Sequence, residues 1–376
     1  MKKIILTIAS LCILWSGASF ATQADKQVIA IANTVADWQL QHRDSVDYIR
    51  TYKDQTGLTK GWVQAAFYVG LTRWAHVTNN ANYQQVLLQL AESNKWQLGP
   101  LTWHADDHAI GQIYLALPQG RLPKHYEPTQ AVFDGIINYN ASNSLEFLSN
   151  PDPQSEGTCQ RRWCWSDALF MAPPVWAALS KVTGDEKYLN FGLKEYAATQ
   201  DYLYDKELHL FYRDSRFFEK RSEHGNKIFW SRGNGWVFAG IPLLLEQMPE
   251  SHPARATLLT LYTEMAARFK AIQTDAGLWA SSLMDFEHQP LKETSGSAFV
   301  TFGISWGINQ GILDKTEYLP VVQKAWPALV SAVDKDGKLG WVQQIGNAPD
   351  QVLASDTQYY GVGAFLLAAS EMMVLE

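Results

Sequence analysis

Residues 61–71 read Gly-Trp-Val-Gln-Ala-Ala-Phe-Tyr-Val-Gly-Leu, and the apolar character continues to residue 76. The spacing predicts a helix over Gly61–His76 that is hydrophobic on nearly every side, which is typical of a helix buried in a large core. The next segment, Asn82–Ser93, instead repeats apolar residues every three or four positions, as an amphipathic helix does. The two segments together predict a hairpin of one buried and one half-exposed helix.

The same alternation recurs along the rest of the chain. Buried helices are predicted over Gly61–His76, Asp107–Leu117, Asp167–Val182, Gly235–Gln247, Ser297–Gly311 and Gly361–Met373. Amphipathic helices are predicted over Gln27–Arg50, Asn82–Ser93, Thr129–Ser149, Glu186–Tyr202, Pro253–Thr274 and Glu317–Val333. An alternation of this kind is a structural repeat, so the sequence predicts an all-α fold of six helical hairpins.

The two ends of the repeat indicate how the hairpins are arranged. The last buried helix, Gly361–Met373, has no amphipathic helix after it, and the first amphipathic helix, Gln27–Arg50, precedes every buried one. If the buried helices form an inner ring, these two helices pair and close an (α/α)6 barrel. An open solenoid or an irregular bundle is the alternative. We expect the closed barrel.

The N-terminus has the pattern of an export signal. Lys2 and Lys3 precede the apolar run Ile4–Trp15, and small residues at Ala18–Ala21 resemble a cleavage site. The run is short for a membrane span. We therefore expect a signal peptide over residues 1–21 and a mature chain that is secreted, most simply into a periplasm, without a membrane anchor. No linker divides residues 22–376, which favours a single catalytic domain.

Composition narrows the class of partner. The formal charge is −7 and no basic cluster is present, which argues against nucleic acid. The chain has 15 Trp and 16 Tyr, a surplus that suits stacking on sugar rings. No set of His, Cys and Asp has the spacing of metal ligands, so neither a metal nor an organic cofactor is expected. Cys159 and Cys164 could form a disulfide after export or stay reduced.

One acid lies in an unusually apolar setting. Asp167 follows Trp163 and Trp165 and precedes the run Ala168–Met171. Burial among such residues favours the protonated carboxyl and raises its pKa, which suits a general acid. The alternative is that Ser166 or Asp167 only caps the helix that begins there.

Other polar motifs also fall where buried helices begin. Trp103–Gln112 contains two adjacent acids and two histidines, and Trp230–Trp236 contains Arg232 followed by Gly233 and Gly235, which permit a tight turn. Glu293–Ser297 resembles a capped helix start, and Ser355–Gly361 has a similar polar character. In a closed barrel all of these starts lie at one mouth, where a pocket would form. Each motif alone has a structural explanation as a cap or a turn.

Several motifs in order resemble the unsaturated glucuronyl and rhamnogalacturonyl hydrolases of glycoside hydrolase families 88 and 105, especially 105. The resemblance rests on four stretches, namely Asp106–Gln112, Trp163–Ala172, Trp230–Trp236 and Glu293–Ala298. The similarity runs from about residue 61 to the C-terminus. It implies an (α/α)6 barrel and a glycosidase that removes a non-reducing-end 4,5-unsaturated uronic acid from oligosaccharides made by lyases.

The resemblance also implies a mechanism of hydration. An Asp protonates C4 of the enol ether and water adds at C5, after which the ring opens and the remaining saccharide leaves. Asp167 matches the acid/base, and Asp107, or its neighbour Asp106, matches a second acid that contacts the sugar. The residues expected to bind substrate are Trp62, Asp106, His108, Trp165, Arg213, Arg232, Trp236, Thr294 and Ser295.

Departures from the family pattern leave the substrate open. Some relatives carry a histidine in the stretch that matches Leu210–Asp214, where this chain has Arg213, so either Arg213 or Arg232 could bind the uronate carboxylate. The loop Cys159–Arg162 also differs from pectin-directed members, which leaves ulvan, glycosaminoglycan and other uronates open. Two other functions remain: an inverting glycosidase that uses Asp107 and Asp167, and a saccharide-binding protein without catalysis.

Overall fold

The computed structural model describes residues 23–118, 124–138, 144–148, 158–288 and 292–375, so the predicted signal peptide lies outside the described residues. The helices of these residues are α1 (Gln23–Gln41), α2 (Lys53–Thr56), α3 (Trp62–Val77), α4 (Ala81–Ser93), α5 (Ala105–His108), α6 (Gly111–Ala116), α7 (Glu127–Ile137), α8 (Ala168–Met171), α9 (Pro173–Thr183), α10 (Glu186–Leu203), α11 (Ser231–Leu245), α12 (Ala254–Ala271), α13 (Thr294–Asn309), α14 (Lys315–Val330) and α15 (Tyr359–Met372). A short antiparallel hairpin pairs β1 (Tyr204–Asp205) with β2 (Leu210–Phe211).

The helices form two layers. In α11, α13 and α15 nearly every residue is buried, as expected for helices of an inner ring. The outer helices bury only one face; α12, for example, buries positions at three- and four-residue spacing, namely Leu258, Leu261, Tyr262, Met265, Ala266 and Phe269. The alternation in the sequence is therefore the alternation of inner and outer helices.

The ring closes where α15 meets α3 and α1. At this junction a Cβ on Gly70 would overlap the backbone of Gly363, and a Cβ on Gly363 would overlap the carbonyl of Ala66. Only glycine allows the two inner helices to approach this closely. The first outer helix covers the last inner one, which confirms the predicted (α/α)6 barrel rather than an open solenoid.

Three outer helices begin with a side-chain cap. Asn80 accepts from the backbone N–H groups of residues 82 and 83, Asp185 from that of residue 187, and Asp314 from that of residue 317. Each cap satisfies N–H groups that have no partner inside the helix. The caps fix where these outer helices begin.

Two inner helices predicted as continuous are each broken, so those predictions were wrong in detail. The segment predicted as Asp107–Leu117 begins at residue 105 and is divided at Ala109 and Ile110. The segment predicted as Asp167–Val182 is divided at residue 172, before Pro173 and Pro174. Proline lacks a backbone N–H and its ring clashes with the preceding turn, which explains the second break.

Two outer helices are shorter than predicted. The helix predicted over Gln27–Arg50 ends at residue 41, where the His42 ring stacks on Trp38 and its Nδ1 lies 2.7 Å from the Trp38 carbonyl. The helix predicted over Thr129–Ser149 ends at residue 137, where the Asn138 side chain donates to a carbonyl of the last turn. Residues 144–148 are not helical, and 139–143 and 149 lie outside the described residues.

The segments that precede the inner helices are joined by hydrogen bonds at one end of the barrel. The backbone N–H of Ser166 donates to the Arg213 carbonyl, that of Ser231 to the Ser281 carbonyl, and that of Thr294 to the Trp341 carbonyl. We call this end the mouth. Within the part of the chain that the structure describes, none of the helices combines the length and the apolar composition that a membrane span requires.

Candidate active site

Asp167 lies at the mouth, immediately before α8, with its side chain 12% exposed. It makes no capping hydrogen bond to the backbone of that helix. Instead, the Ser166 hydroxyl donates to Asp167 Oδ2 at 3.1 Å. The structure thus rejects the interpretation of Asp167 as only a helix cap, because its carboxylate faces the groups of the mouth.

Arg213 brings a positive charge to this acid. It follows the β1–β2 hairpin by two residues, and its Nε lies 3.5 Å from Asp167 Oδ2. Its Nη1 donates to Asp214 at 2.8 Å, and Asp214 also binds Arg216 through two nitrogens. The Arg213 Nε is buried and has no hydrogen-bond partner. One donor of the guanidinium is therefore fixed by the protein, while another beside Asp167 remains available.

Asp106 and Asp107 are neighbours that face different surroundings. Burial raises the pKa of Asp106 to about 7; the Asp167 carboxylate adds to this rise and Arg213 opposes it. Asp106 Oδ1 is buried without a hydrogen-bond partner. Asp107 instead accepts from the Leu101 N–H at 3.2 Å, and burial raises its pKa to about 6. Of the two acids, Asp106 interacts with Asp167.

His104 is a site residue that the sequence analysis did not select. Its ring lies 4.7 Å from the Trp165 ring, and its Nδ1 is 3.8 Å from Asp106 Oδ2. Burial lowers the pKa of His104 to about 4, so the ring is neutral near pH 7. Its position two residues before Asp106 was the available signal. His104 and Trp165 together form one wall beside the two acids.

Arg232 is fully buried and its two terminal nitrogens are bound, although its Nε has no hydrogen-bond partner. Its Nη1 and Nη2 donate to the carbonyls of Gln343 and Gln344 at 2.6 and 2.9 Å. The guanidinium also lies between the rings of Trp230 and Tyr360, at 4.3 and 4.6 Å from their centroids. Arg232 thus holds the loop over residues 343 and 344, and Arg213 is the better placed of the two for a substrate carboxylate.

Gln343 was missed because no motif surrounds it. Its side-chain Oε1 accepts from Trp230 Nε1 at 2.9 Å and from the Ser281 hydroxyl at 2.8 Å. Its carbonyl accepts from Arg232 and from the Tyr360 hydroxyl. This residue connects three of the segments that form the mouth.

Trp62 and Trp236 form an aromatic wall. The Trp62 ring stacks on Tyr360 at 5.3 Å and meets Trp236 edge-on at 6.2 Å. Trp236 also packs on Phe170 and Phe299, and its indole N–H is buried without an acceptor. A buried donor without a partner is costly unless something binds it.

Three of the predicted substrate-binding residues have structural partners instead. Thr294 donates through its hydroxyl to the Gly340 carbonyl at 2.9 Å, and Ser295 donates to Glu293, the residue whose carboxylate caps α13. The His108 Nε2 lies 2.8 Å from the Thr102 carbonyl, and its other nitrogen accepts from Trp176. The structure does not bring the functional groups of these three side chains to the two acids.

A disulfide braces the segment before the acid. Cys159 and Cys164 are bonded, which settles the alternative that the sequence left open. Between them, Arg162 pairs with Glu195 of α10 at 2.5 Å. The bridge and this ion pair fix the chain just ahead of Asp167.

Comparison with known proteins identifies the family. Residues 24–375 match the model of Glycosyl Hydrolase Family 88. The chain belongs to glycosyl hydrolase family 88. It is therefore a glycosidase, and the resemblance noted in its motifs is confirmed.

Two curated relatives are similar over most of the chain. An unsaturated 3S-rhamnoglycuronyl hydrolase of Alteromonas sp. (strain LOR) is 44% identical over 351 residues, 92% of this chain and 85% of the relative. A protein of the same name from Formosa agariphila is 40% identical over 324 residues, 84% of this chain and 85% of the relative. A solved family 88 structure from Bacteroides vulgatus has a TM-score of 0.80 at 28% identity and covers 94% of this chain and 99% of its own.

Proposed function

We propose that this family 88 glycosidase removes a 4,5-unsaturated uronic acid from the non-reducing end of oligosaccharides, and that unsaturated rhamnoglycuronyl saccharides are its preferred class. The observation that carries the proposal is the buried Asp167 at the mouth, with Arg213 at 3.5 Å and Asp106 interacting with it. The names of the two curated relatives support the substrate class.

Asp167 acts as the general acid and then as the general base. Its proton goes to C4 of the sugar as the C4=C5 electron pair forms the new C–H bond, leaving positive charge on C5 and the ring oxygen. Water bonds to C5 while the Asp167 carboxylate takes a proton from it. The C5–ring oxygen bond of the resulting hemiketal breaks, and the hemiacetal at C1 then releases the remaining saccharide. A single carboxyl serves both proton transfers.

Asp106, rather than Asp107, is the better supported second acid. The carboxyl of Asp106 interacts with Asp167 and has a buried oxygen without a partner, whereas the Leu101 N–H engages Asp107. In the proposed reaction Asp106 binds a sugar hydroxyl and helps to place the water. Asp107 supports the preceding loop.

Arg213 binds the uronate carboxylate in this scheme. Its available buried donor faces the acids, and guanidinium groups suit carboxylates. Trp165 and the partly exposed Trp62 supply apolar faces against which the saccharide stacks, and the fully buried Trp236 supports Trp62 from behind.

The test is a panel of unsaturated disaccharides made by lyases from ulvan, rhamnogalacturonan, glycosaminoglycans and other polyuronates. Loss of the C=C absorbance near the ultraviolet edge measures the reaction. We expect the highest kcat/KM on the rhamnoglycuronyl disaccharide. Consumption of none of them would reject the proposal, and release of sugar with the absorbance retained would instead indicate an inverting glycosidase.

We also propose export to the periplasm. The charged, apolar and small-residue pattern of residues 1–21 supports this location, as does the Cys159–Cys164 disulfide, since such bonds persist in oxidising compartments. N-terminal sequencing of the protein from a periplasmic extract should find a mature chain that begins near Thr22. An uncleaved chain in the cytoplasmic fraction would contradict this location.

A further inference from the structure

We propose that Arg213 couples substrate binding to proton donation: it pairs with Asp167 in the free enzyme, and the uronate carboxylate takes over that pairing so that Asp167 accepts a proton. This inference rests on the proposed function. It gives Arg213 a second role beyond holding the substrate, because the same guanidinium controls the protonation state of the general acid.

The geometry of Arg213 carries the inference. Asp214 fixes one end of the guanidinium through Nη1 at 2.8 Å and is itself held by Arg216. The opposite edge faces Asp167, where Nε lies 3.5 Å from Oδ2 without a hydrogen bond. Asp214 therefore holds one side of the guanidinium, while Nε on the other side has no hydrogen-bond acceptor. A carboxylate arriving at this edge competes directly with Asp167.

The charges around Asp167 explain why competition matters. Asp106, Asp167 and Asp214 provide three carboxyls, and Arg213 and Arg216 provide two guanidiniums. Arg213 is the positive charge that contacts Asp167, whereas Asp106 Oδ1 is buried without a hydrogen-bond partner. An ionised Asp167 cannot donate a proton to C4.

Substrate binding changes which carboxylate Arg213 pairs with. The incoming carboxylate adds a negative charge beside Asp167 and engages the guanidinium that stabilised its ionised form, and both effects favour a protonated Asp167. The proton comes from Asp106 or from solvent. Binding of the correct anionic sugar thus produces the active form of the acid.

Other charged or titratable groups also lie near the acids. Across from Arg213, the helix that bears Asp106 also bears Asp107, with His104 just before it and Lys60 close enough to Asp107 to affect its pKa. Behind Ser166, α11 contributes Arg232, whose two terminal nitrogens are bound by carbonyls. His104 is neutral near pH 7, since burial lowers its pKa to about 4.

The test compares two substrates, the unsaturated disaccharide and its uronate methyl ester, through pH profiles of kcat and kcat/KM. The descending limb of kcat/KM reports the free enzyme and that of kcat the complex. With the acid substrate we expect the descending limb of kcat to lie at a pH about one unit or more higher than the descending limb of kcat/KM. With the uncharged ester the two limbs should coincide.

Enzyme variants complete the test. In Arg213→Gln the kcat/KM limb should move to higher pH, and the preference for acid over ester should fall about tenfold or more. Arg213→Lys, which keeps the positive charge, should bring the kcat/KM limb part of the way back and restore part of the preference for the acid substrate. Arg221→Gln is the matched control, because its exposed guanidinium donates to the Phe218 and Lys220 carbonyls and not to either acid, and it should keep the gap and the preference.

Several results overturn the inference. They are descending limbs of kcat and kcat/KM that coincide with the acid substrate, an undiminished acid preference in Arg213→Gln, or the same loss of preference in Arg221→Gln. Thermal unfolding of each variant separates loss of fold from loss of coupling, and the wild-type profiles decide even if Arg213→Gln does not fold. A wild-type enzyme inactive on both substrates would instead reject the proposed function.

Discussion

The two ends of the barrel use their charged residues in opposite ways. At the far end, residues of α3, α6, α9 and α11 line a cavity of about 500 Å³. There Arg73 donates from Nη1 and Nη2 to Glu246 at 2.9 and 3.0 Å and pairs with Glu371. Trp306 and Asn309 donate to the same two carboxylates. Every nitrogen of this arginine has a protein acceptor.

At the mouth the polar groups are not all satisfied. Buried atoms without hydrogen-bond partners include Asp106 Oδ1, His104 Nδ1, Arg213 Nε and Trp236 Nε1. Unmet hydrogen-bonding capacity of this kind is costly to the fold, and a catalytic or binding role is one explanation for it. The charged residues of the far end thus join the inner helices, whereas those of the mouth are available for binding and chemistry, although a cavity of about 500 Å³ lies at the far end.

The largest effect is expected from Asp167→Asn. The amide cannot donate a proton to C4 or accept one from water, so kcat should fall by about a thousandfold or more. The melting temperature should change little, because the acid makes no helix-capping bond. Absorbance kinetics and thermal unfolding check both. An active Asn variant would move the acid elsewhere in the mouth.

Glu371→Gln should produce the opposite pattern at the far end. The change replaces the carboxylate that accepts from Arg73 and Asn309 by an amide while Glu246 still pairs with Arg73, which costs about 1.5–3 kcal/mol in the free energy of unfolding. The kcat of the folded variant should remain near that of wild type. Denaturant unfolding and absorbance kinetics measure the two quantities, and a large fall in kcat would show that the two ends are not separate in function.

The hairpin alternation made the fold predictable, because six buried and six amphipathic segments specify a ring with its outer layer. The helix breaks were less accessible. Pro173 and Pro174 gave a local signal for one of them, whereas Ala109 and Ile110, where the other helix is divided, gave none. Local periodicity does not report tertiary constraints.

The site was predictable only where a motif carries its own chemistry. Asp167 and Arg213 were found from their surroundings and their family match. The role of Arg232 was not, because its partners are backbone carbonyls more than a hundred residues later in the chain. The choice between Asp106 and Asp107 depends on which side of a single helical turn faces Asp167, and sequence spacing does not determine that.

Asp106→Asn should stabilise the protein at alkaline pH. The pKa of Asp106 is raised to about 7 in the folded state, whereas the pKa of an unfolded aspartate is near 4. The folded state therefore loses stability as the pH rises from about 4 towards 7. The amide avoids this cost. Unfolding experiments should show a gain of about 1 kcal/mol or more at pH 8 that disappears as pH falls towards 4. A gain independent of pH would contradict the burial of an ionisable acid.

The smallest effect is expected from Trp236→Phe. Phenylalanine keeps most of the aromatic wall but removes the buried N–H that lacks an acceptor. If substrate accepts from this donor, KM should rise about three- to tenfold, in line with a single neutral hydrogen bond, with little change in kcat. Initial-rate kinetics measure this, and an unchanged KM would show that the indole N–H does not reach the saccharide.

The most direct measurement of the chemistry at the mouth follows the reaction in D2O. Wild-type enzyme and Asp167→Asn are mixed with the unsaturated disaccharide, and early product is examined by ultraviolet absorbance and NMR. Hydration predicts that the absorbance is lost and one deuterium appears at C4 with the wild type, and that neither occurs with the variant. Release of the sugar with the absorbance retained and no deuterium at C4 would contradict it.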